Sequence, residues 1–300
     1  MTVPVLITGT SSGIGRATAL RLARRPGLTV HATARRPEQI ADLEESGVRT
    51  LALDVTDETS MRAAVEEVER AHGAVGVLVN NAGYGEYGTI EETALDAVRR
   101  QFETNVFGLA RLTQLVLPGM RAAGAGRIVN IGSMGGRLVF PAGGYYHASK
   151  YAVEALTDAL RLETAPFGIR VSLIEPGLIR TGFGATAART LAGASGSGGS
   201  AGSAGSSGSG PYAGLVAAVD RQMAGAFDSS LLSTTPDAVA RVVERAATGS
   251  RPRPRYVVTV PAKMLVHTRR LFGTRVFDAL VRTGLPGGRT AAVAGGAAGA

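Results

Sequence analysis

The sequence predicts an α/β protein in which a doubly wound parallel sheet of about seven strands carries helices on both faces. Over roughly the first 180 residues, short aliphatic or β-branched runs alternate with longer stretches that have the helical period. The runs are apolar throughout, which is typical of strands covered on both sides. A glycine-rich turn directly follows the first run, at the edge where open parallel sheets bind their ligands.

Each element is predicted from its own run or period, in chain order. The strands are predicted at residues 3–8, 28–33, 48–53, 76–80, 127–131, 169–174 and 255–260. The helices are predicted at residues 13–25, 58–72, 95–120, 146–165, 236–247 and 263–282.

Residues 193–210 consist almost entirely of Gly, Ser and Ala, which predicts a flexible segment. This segment could link two domains. Only one helix, one strand and a terminal helix are predicted after it, however, and these elements would complete the same sheet. We therefore predict one domain over residues 1–286, with the flexible segment in its substrate-loop region and a disordered tail at 287–300.

Composition excludes several classes of function. The chain has no cysteine, which excludes disulfides and thiolate sites, and its four histidines lack metal-ligand spacing, so no metal is predicted. The net charge is +8, but the cations are dispersed, apart from the spaced cluster Arg251, Arg253 and Arg255, which is interpreted as solvated surface. With few aromatic residues, no nucleic acid partner is expected. A strand begins at once and no apolar run would span a bilayer, so a cytoplasmic location is expected.

A phosphate-binding turn is predicted between the first strand and the first helix, where the sequence reads TGTSSGIG from Thr8. Gly9 permits the tight turn, Gly13 lets the backbone approach a pyrophosphate, and Gly15 lets the helix pack closely on the sheet. Backbone N–H groups at the start of the helix then bind the phosphate charge.

The end of the second strand predicts which nicotinamide cofactor is bound. A carboxylate there would accept hydrogen bonds from the adenosine ribose and repel a 2′-phosphate. This sequence has Ala34 and Arg35 instead, with no acid. Arg35 can pair with a 2′-phosphate, and Ser11 and Ser12 can donate hydrogen bonds to it. NADP(H) is therefore predicted, the alternative being that the arginine only faces solvent.

Tyr146 and Lys150 are four residues apart, so on a helix they share one face. A phenol with a pKa of ~10 is a poor base at neutral pH, and a nearby ammonium is expected to lower that pKa by ~2–3 units. Such a group can give a proton to a forming alkoxide or take one from an alcohol. Ser133 follows a predicted strand at the carboxyl edge of the sheet, where its hydroxyl could orient a substrate carbonyl.

With these residues the sequence resembles the short-chain dehydrogenase/reductase family in its compact single-domain form, which has a Rossmann-type sheet. The resemblance covers roughly residues 3–260. The shared motifs are the TGTSSGIG turn, Asp54-Val55, Asn80-Asn81-Ala82-Gly83, Asn105, Ser133, Tyr146 with Lys150, and Pro176-Gly177 followed by Thr181.

The resemblance implies a role for each matching residue. Asp54 and Val55 would meet the adenine, residues 81–83 would line the ribose and the floor of the site, and Asn105 would hold a helix kink and a proton-relaying water. The implied catalytic residues are Asn105, Ser133, Tyr146 and Lys150. The implied cofactor-binding residues are Gly9, Ser11, Ser12, Gly13, Ile14, Gly15, Arg35, Asp54, Val55, Asn81, Ala82, Gly83, Tyr146, Lys150, Pro176, Gly177, Ile179 and Thr181.

A narrower resemblance, through residues 33–36 and 255–280, is to the 17β-hydroxysteroid and retinol dehydrogenase branch of the family. It implies an NADP(H)-dependent oxidoreductase that transfers a hydride between nicotinamide and a carbonyl or secondary alcohol of an apolar, steroid-like or polyketide-like substrate. The Gly/Ser segment lies where this family covers its substrate, which leaves the identity of the substrate open.

Three alternatives are weighed against these expectations. An extended sugar-nucleotide-modifying relative would need another glycine spacing and a larger C-terminal domain, and a cofactor-sensing regulator would need lost catalytic residues. The resemblance implies a homodimer or homotetramer, formed through the helices near Phe102 and Tyr146. Residues 263–282 are basic and could lie on a membrane through an apolar stripe, but packing on the protein itself or another subunit is more frequent, so no membrane partner is expected. The stripe consists of Leu265, Leu271, Phe272, Phe277 and Leu280.

Overall fold

The strands and helices of the computed structural model follow the predicted alternation; the structure describes residues 2–194, 210–283 and 285. The strands are β1 (Val3–Ile7), β2 (Leu28–Ala34), β3 (Arg49–Ala52), β4 (Val77–Asn80), β5 (Gly126–Ile131), β6 (Ile169–Glu175), β7 (Leu178–Ile179), β8 (Ser233–Thr234) and β9 (Arg255–Val257). The helices are α1 (Gly13–Ala23), α2 (Glu58–His72), α3 (Leu95–Phe102), α4 (Leu109–Ala122), α5 (Gly144–Thr164), α6 (Gly182–Ala194), α7 (Ala213–Asp228), α8 (Pro236–Thr248) and α9 (Val260–Arg282).

The central sheet has seven strands in the order β3-β2-β1-β4-β5-β6-β9, and every neighbouring pair is parallel. The order reverses between β1 and β4, and at such a switch point a crevice opens beyond the carboxyl ends of the strands. The predicted doubly wound α/β fold is therefore confirmed. A small additional pair, β7 with β8, was not predicted from the sequence.

The core lies in two layers, one on each face of this sheet. Along β1, Val5 and Ile7 pack into the layer that includes α1 and α8, whereas Leu6 packs into the layer that includes α2 and α4. All three side chains are fully buried. Since alternate residues of a strand point to opposite faces, burial on both faces explains why the strand runs are apolar throughout.

The helix predicted over residues 95–120 is interrupted in the structure. A π-helical turn, Glu103–Gly108, separates α3 from α4. Gly108 packs directly on the backbone of Val55, where a Cβ would lie 2.3 Å from the carbonyl oxygen. A π turn inserts an extra residue into a helix and often occurs at a functional site, and here it contains Asn105.

The strand predicted at residues 255–260 ends earlier, because α9 begins at Val260. Thr259 caps this helix by accepting a hydrogen bond from Ala262 N at 3.3 Å, and Pro261 occupies its first turn. Gly273 interrupts α9 with a φ of +72°.

Elements from both sides of the Gly/Ser segment share the sheet, since β9 pairs with β6 and α8 packs on α1. Residues 195–209 of the segment predicted at 193–210 lie outside the described residues, as does the tail predicted at 287–300, so both predictions stay predictions. Within the described ranges, none of the helices is both long enough and apolar enough to cross a bilayer.

Candidate active site

The glycine-rich turn after β1 has a conformation that depends on its glycines. Gly9 and Gly13 have φ values of +70° and +57°, in the left-handed region that favours glycine. A Cβ on Gly9 would lie 2.9 Å from Ala82 Cα, and one on Gly15 would lie 2.4 Å from the Gly9 carbonyl oxygen. The turn therefore brings the start of α1 close to the end of β4.

Asn81 braces this turn from the neighbouring strand end. Its Nδ2 donates to Thr8 O at 2.9 Å and to Gly9 O at 3.0 Å. The Thr8 hydroxyl in turn accepts from the backbone N–H groups of Asn81 and Ala82, at 3.0 and 2.9 Å. Thr8 was not assigned a role from the sequence. The signal that could have identified it is its position as the first residue of the TGTSSGIG motif.

The segment after β6 closes the crevice opposite the turn. A Cβ on Gly13 would lie 3.3 Å from Thr181 Cγ2, so Thr181 faces the start of α1. Pro176 O accepts from Met134 N at 2.9 Å, and a Cβ on Gly177 would lie 2.1 Å from the Thr259 hydroxyl. Ile179 is buried in β7.

These residues fit a bound dinucleotide. The helix start and the left-handed glycines form a concave surface of backbone, with Thr181 on its far side. Ser11 and Ser12 are exposed at its rim, and Ile14 packs into the core beneath it. Backbone N–H groups at a helix start attract a phosphate charge. The predicted residues of the turn are thus brought together in an arrangement suited to a pyrophosphate.

The predicted adenosine residues lie at the adjacent strand ends. β2 and β3 end side by side, with Leu53 N donating to Ala34 O at 2.9 Å. The Arg35 side chain is exposed there and takes part in no ion pair with a described residue. Asp54 Oδ1 accepts from the backbone and hydroxyl of Thr56, at 2.9 and 2.8 Å, and Val55 is buried. This edge therefore presents a free guanidinium and no competing carboxylate at residue 34.

The predicted catalytic side chains converge at the carboxyl end of β5. Tyr146 and Lys150 lie on one face of α5, and the Ser133 hydroxyl lies close enough to Tyr146 to lower its pKa. The Ser133 oxygen also accepts from Gly135 N at 3.0 Å. Lys150 Nζ donates to Ile131 O at 2.9 Å. Tyr146 and Lys150 are only 6% and 8% exposed.

Burial determines the protonation of both groups. It raises the pKa of Tyr146 to about 12, a shift that the nearby Ser133 hydroxyl opposes. It lowers the pKa of Lys150 to about 8. The expectation of a lowered pKa for Tyr146 is therefore wrong for this arrangement: the Lys150 ammonium is bound to a backbone carbonyl, and loss of solvation outweighs the other effects on the phenol.

Asn105 occupies the π turn and connects three parts of the site. Its Oδ1 accepts from Tyr84 N at 3.1 Å, and its Nδ2 donates to Tyr84 O at 2.9 Å and to Ser149 Oγ at 3.0 Å. A Cβ on Gly83 would lie 3.0 Å from Asn105 Oδ1 and 3.8 Å from Lys150 Nζ. The Lys150 ammonium is thus accessible from the side of the exposed Gly83 backbone.

Two aromatic rings that carry no motif cover Tyr146. The Tyr87 ring stacks on it at 5.5 Å between centroids and 27° between planes, and the Phe183 ring lies 5.3 Å away. Tyr87 N donates to Thr190 Oγ1 of α6 at 3.0 Å, which ties this loop to the following helices. Tyr87 was missed in the sequence because no spacing distinguishes it. Phe183, on the N-terminal side of the Gly/Ser segment, is one of the flanking residues from which the sequence predicts substrate specificity.

An ion cluster lies one turn beyond Lys150 on α5. Arg255 pairs with Glu154, with Asp158 and with Glu175, the last at 2.8 Å. Glu175 is fully buried, and burial raises the pKa of Glu154 to about 8. The interpretation of Arg255 as solvated surface is therefore wrong: it compensates carboxylates that the packing of α5 on β6 buries.

Among the described residues, no group of three or more His, Asp or Glu side chains could hold a metal ion. The site is thus assembled from a hydroxyl pair, one buried lysine and the backbone cradle.

Comparison with known proteins gives consistent results. A family model described as short chain dehydrogenase matches residues 4–192. The chain is 44% identical over 179 residues to a 3-ketodihydrosphingosine reductase of Bacteroides thetaiotaomicron (60% of this chain, 65% of that protein). It is 42% identical over 190 residues to human 17-beta-hydroxysteroid dehydrogenase type 1 (60% and 57%). It is 40% identical over 185 residues to an NADPH-dependent 3-dehydrocapnine reductase of Ornithobacterium rhinotracheale (59% and 65%).

These alignments span less than two thirds of each relative, whereas the solved structures match more of the chain. A short-chain dehydrogenase from Streptomyces avermitilis is 34% identical with a TM-score of 0.74, covering 90% of this chain and 92% of that one. A short-chain dehydrogenase/reductase from Burkholderia phymatum, in complex with NAD, is 26% identical with a TM-score of 0.74, covering 90% and 93%. The chain belongs to the short-chain dehydrogenase family and is an oxidoreductase of that family.

Proposed function

We propose that this chain is an NADP(H)-dependent ketoreductase that interconverts a carbonyl and a secondary alcohol on an apolar substrate, with Tyr146 as the general acid/base. The observation that carries the proposal is the buried Tyr146 next to the Ser133 hydroxyl and the buried Lys150, at the same sheet edge as the glycine cradle. A hydroxyl pair of this kind can hold a carbonyl oxygen and move a proton to it.

Each catalytic residue has a task that follows from its surroundings. When bound, the nicotinamide supplies or accepts the hydride, which is the chemistry of the cofactor itself. Tyr146, with a pKa of about 12, holds its proton at neutral pH and can give it to the oxygen of a carbonyl under reduction. Ser133 can donate a second hydrogen bond to that oxygen. Lys150, with a pKa of about 8, is charged at pH 7 and can bind ribose hydroxyls through the open side at Gly83.

The preference for NADP(H) rests on the end of β2. Arg35 is exposed there and unpaired with any described acid, Ala34 replaces the carboxylate that would bind a ribose hydroxyl, and Ser11 and Ser12 lie exposed at the start of α1. One relative is named as NADPH-dependent, while a structural neighbour holds NAD. The local charge favours the phosphorylated cofactor.

The apolar substrate class is supported by the walls of the site. The Tyr87 and Phe183 rings lie over Tyr146, and the Phe227 ring would be 3.2 Å from a Cβ on Gly184. Aromatic walls favour a flat or extended apolar substrate with one polar group. The hydroxyl groups of Ser133 and Tyr146 would bind that polar group. Two of the relatives are named for a steroid and a ketosphingoid substrate, which fits this chemistry.

We also propose that the chain assembles as a homodimer or homotetramer through α3 and α5. Both carry apolar side chains that would be costly to leave in water, including Leu95 at 58% and Leu162 at 67% exposure, and Phe107 next to α3 at 56%. Light scattering during size-exclusion chromatography measures this state directly.

Replacement of Tyr146 by Phe tests the catalytic proposal. Tyr146→Phe keeps the ring packing but removes the proton donor, so we expect turnover of a ketone with NADPH to fall by roughly 10²–10⁴. The dissociation constant for NADPH, measured by fluorescence, should change by less than about threefold. Tyr145→Phe is the matched control, because the Tyr145 hydroxyl bonds to Ile90 O at 3.1 Å.

Turnover of Tyr146→Phe within tenfold of the parent would show that another group transfers the proton. If instead the parent binds NADPH tightly and reduces none of a broad ketone panel, the cofactor-sensing alternative would replace the enzymatic proposal.

A further inference from the structure

The C-terminal helix α9 has an apolar outer face. In its first part, Val260, Met264 and Leu271 are 66%, 66% and 73% exposed. At 3.6 residues per turn these three positions fall within an arc of about 40°, opposite the buried Ala262 and Val266. Beyond the kink at Gly273, more apolar side chains are half exposed. These are Val276 and Leu280, at 48% each.

The apolar stripe predicted from the sequence is therefore divided. Its members Leu265 and Phe277 pack inward around Leu138, together with Val266. Its other members, Leu271, Phe272 and Leu280, are exposed and belong to none of the core clusters formed by the described residues. Packing of α9 on the body of the protein, as expected, thus accounts for only half of its apolar residues.

The outer face continues into a groove next to the start of α9. Leu231 and Leu232, 86% and 43% exposed, line this groove with Val260. Arg241 and Arg245 of α8 also line it. One continuous surface, which we call the α9 surface, thus consists of Leu231, Leu232, Val260, Met264 and Leu271.

Positive charge borders the α9 surface. The helix carries five Lys or Arg residues and a single acid, Asp278. Lys263 and Arg270 are exposed on the flank of the stripe and form no ion pair within the described ranges. A second copy packed isologously would bring the same cations together, which costs free energy. A surface of anionic groups over an apolar layer complements this pattern better than a second copy does.

We propose that the α9 surface docks on the face of an anionic phospholipid bilayer. Met264, Leu271 and the two leucines would enter the boundary between headgroups and acyl chains, while Lys263 and Arg270 bind the headgroup phosphates. This proposal departs from the expectation of no membrane partner, because that expectation treated all the apolar residues of the helix as one packed stripe.

The position of α9 relates this docking to the site. Its cap residue Thr259 contacts Gly177, and its buried Phe277 ring lies 5.8 Å from the Phe140 ring, which lies 5.9 Å from His147, next to Tyr146. The docked helix would therefore hold the active-site side of the protein near the bilayer, in which apolar ketones concentrate. Docking itself does not depend on the proposed reaction.

Sedimentation of the full chain with vesicles tests the proposal without substrate. We expect binding to phosphatidylcholine vesicles that contain about a third phosphatidylglycerol, weaker binding to pure phosphatidylcholine, and loss at high salt. Met264→Gln with Leu271→Gln should abolish binding. Lys263→Gln with Arg270→Gln should weaken it by about twentyfold or more, since each cation near an anionic surface contributes about fivefold.

Matched variants separate the α9 surface from general apolarity and charge. Ile90→Gln with Phe167→Gln removes exposed apolar side chains that lie outside α9 and outside the proposed α3–α5 interface, and Arg24→Gln with Arg251→Gln removes two exposed cations elsewhere. Unchanged vesicle binding by both controls supports the proposal. Three outcomes would overturn the proposal: equal loss of binding in the controls, no binding by the parent, or loss of an oligomer by the Met264/Leu271 variant in light scattering. The third outcome would show that the α9 surface forms a contact between copies.

Discussion

Lys150 lies in surroundings that are costly to the fold. It is 8% exposed and bonds a carbonyl oxygen, Ile131 O, instead of an acid. Its pKa is lowered from 10.5 to about 8 by burial, so the folded state favours the uncharged amine. Folding therefore costs free energy below pH 8, where the buried group is charged, and this cost disappears as the pH rises from about 8 to 10.5.

We accordingly predict that Lys150→Met stabilises the protein at pH 7 while abolishing activity. The free energy of unfolding should rise by about 1–3 kcal/mol. This gain is the cost of the displaced Lys150 pKa, which the variant removes, minus the contribution of the hydrogen bond that it loses. It should shrink toward zero at pH 10.5. Urea unfolding at the two pH values measures it, and Lys263→Met, at the only other lysine of the chain, is the control. A variant less stable than the parent at pH 7 would refute this account of Lys150.

Arg35 is predicted to read the 2′-phosphate of the cofactor. Loss of a charge-assisted contact costs ~1.5–3 kcal/mol, so Arg35→Ala should raise the KM for NADPH at least tenfold and leave the KM for NADH almost unchanged. Steady-state kinetics with both cofactors measure this, with Arg24→Ala as the exposed control. Equal effects on both cofactors would mean that Arg35 does not contact the phosphate.

At this scale the sequence predicted the residues that belong to motifs, and it missed those defined only by contact. Tyr146, Lys150 and Ser133 could be found because their spacing fixes one helix face and one strand end. Tyr87 could not, because its position over Tyr146 depends on how the loop after β4 meets α6. The direction of the Tyr146 pKa was also mispredicted, since burial is a property of the whole site.

At the scale of elements, three of them meet at the Arg255 cluster: α5 supplies Glu154, β6 supplies Glu175 and β9 supplies Arg255. Glu154 Oε1 and Glu175 Oε2 are both buried without a hydrogen-bond partner, although the Arg137 guanidinium lies 3.6 Å from Glu175 Oε2, and a proton shared between the two oxygens would satisfy both. The raised pKa of Glu154, about 8, agrees with a protonated carboxyl at neutral pH. Arg255 balances the remaining charge.

We predict that Arg255→Met destabilises the protein by about 3 kcal/mol at pH 8.5, because a buried carboxylate loses its partner. Since the folded pKa of Glu154 is raised, its protonated form persists until the pH rises through about 8, so the loss should be smaller at pH 5.5. Thermal unfolding at both pH values measures this, with exposed Arg253→Met as the control. A loss independent of pH would point to packing alone.

The predicted elements were of the correct type, but α6 and α7 were not predicted and several element ends were misplaced. Strands buried on both faces and helices with a clear period appear where the sequence indicates them. The helical period over residues 95–120 did not predict the π turn at Glu103–Gly108, where Gly108 packs on Val55; only the family resemblance implied a kink at Asn105. The last strand was predicted too long, because the apolar run continues through Val260 into a helix that Thr259 caps.

At the scale of the whole molecule, α6 and α7 form a cover beside the site. Leu191 of α6 and Val219 of α7 are buried together with Ala142, and Tyr87 packs against them. Tyr212 donates to Glu91 at 2.7 Å, which joins the start of α7 to the loop after β4. The cover is thus held by contacts between described residues on either side of the Gly/Ser segment.

Shortening the Gly/Ser segment should therefore leave the fold and the cradle unchanged. Deleting half of residues 195–208 reduces the entropic cost of closing the loop by only about 0.6 kcal/mol, which stabilises the folded state slightly. We expect the Tm to change by less than about 3 °C, the Kd for NADPH by less than about twofold, and the substrate KM only modestly. Phe227→Ala, by contrast, should alter substrate preference, because this ring packs on Gly184, the residue that follows Phe183. Calorimetry, NADPH titration and a ketone panel measure these effects. A shortened protein that unfolds or no longer binds NADPH would show that the segment is part of the folded core, and that the contacts between α6 and α7 do not hold the cover by themselves.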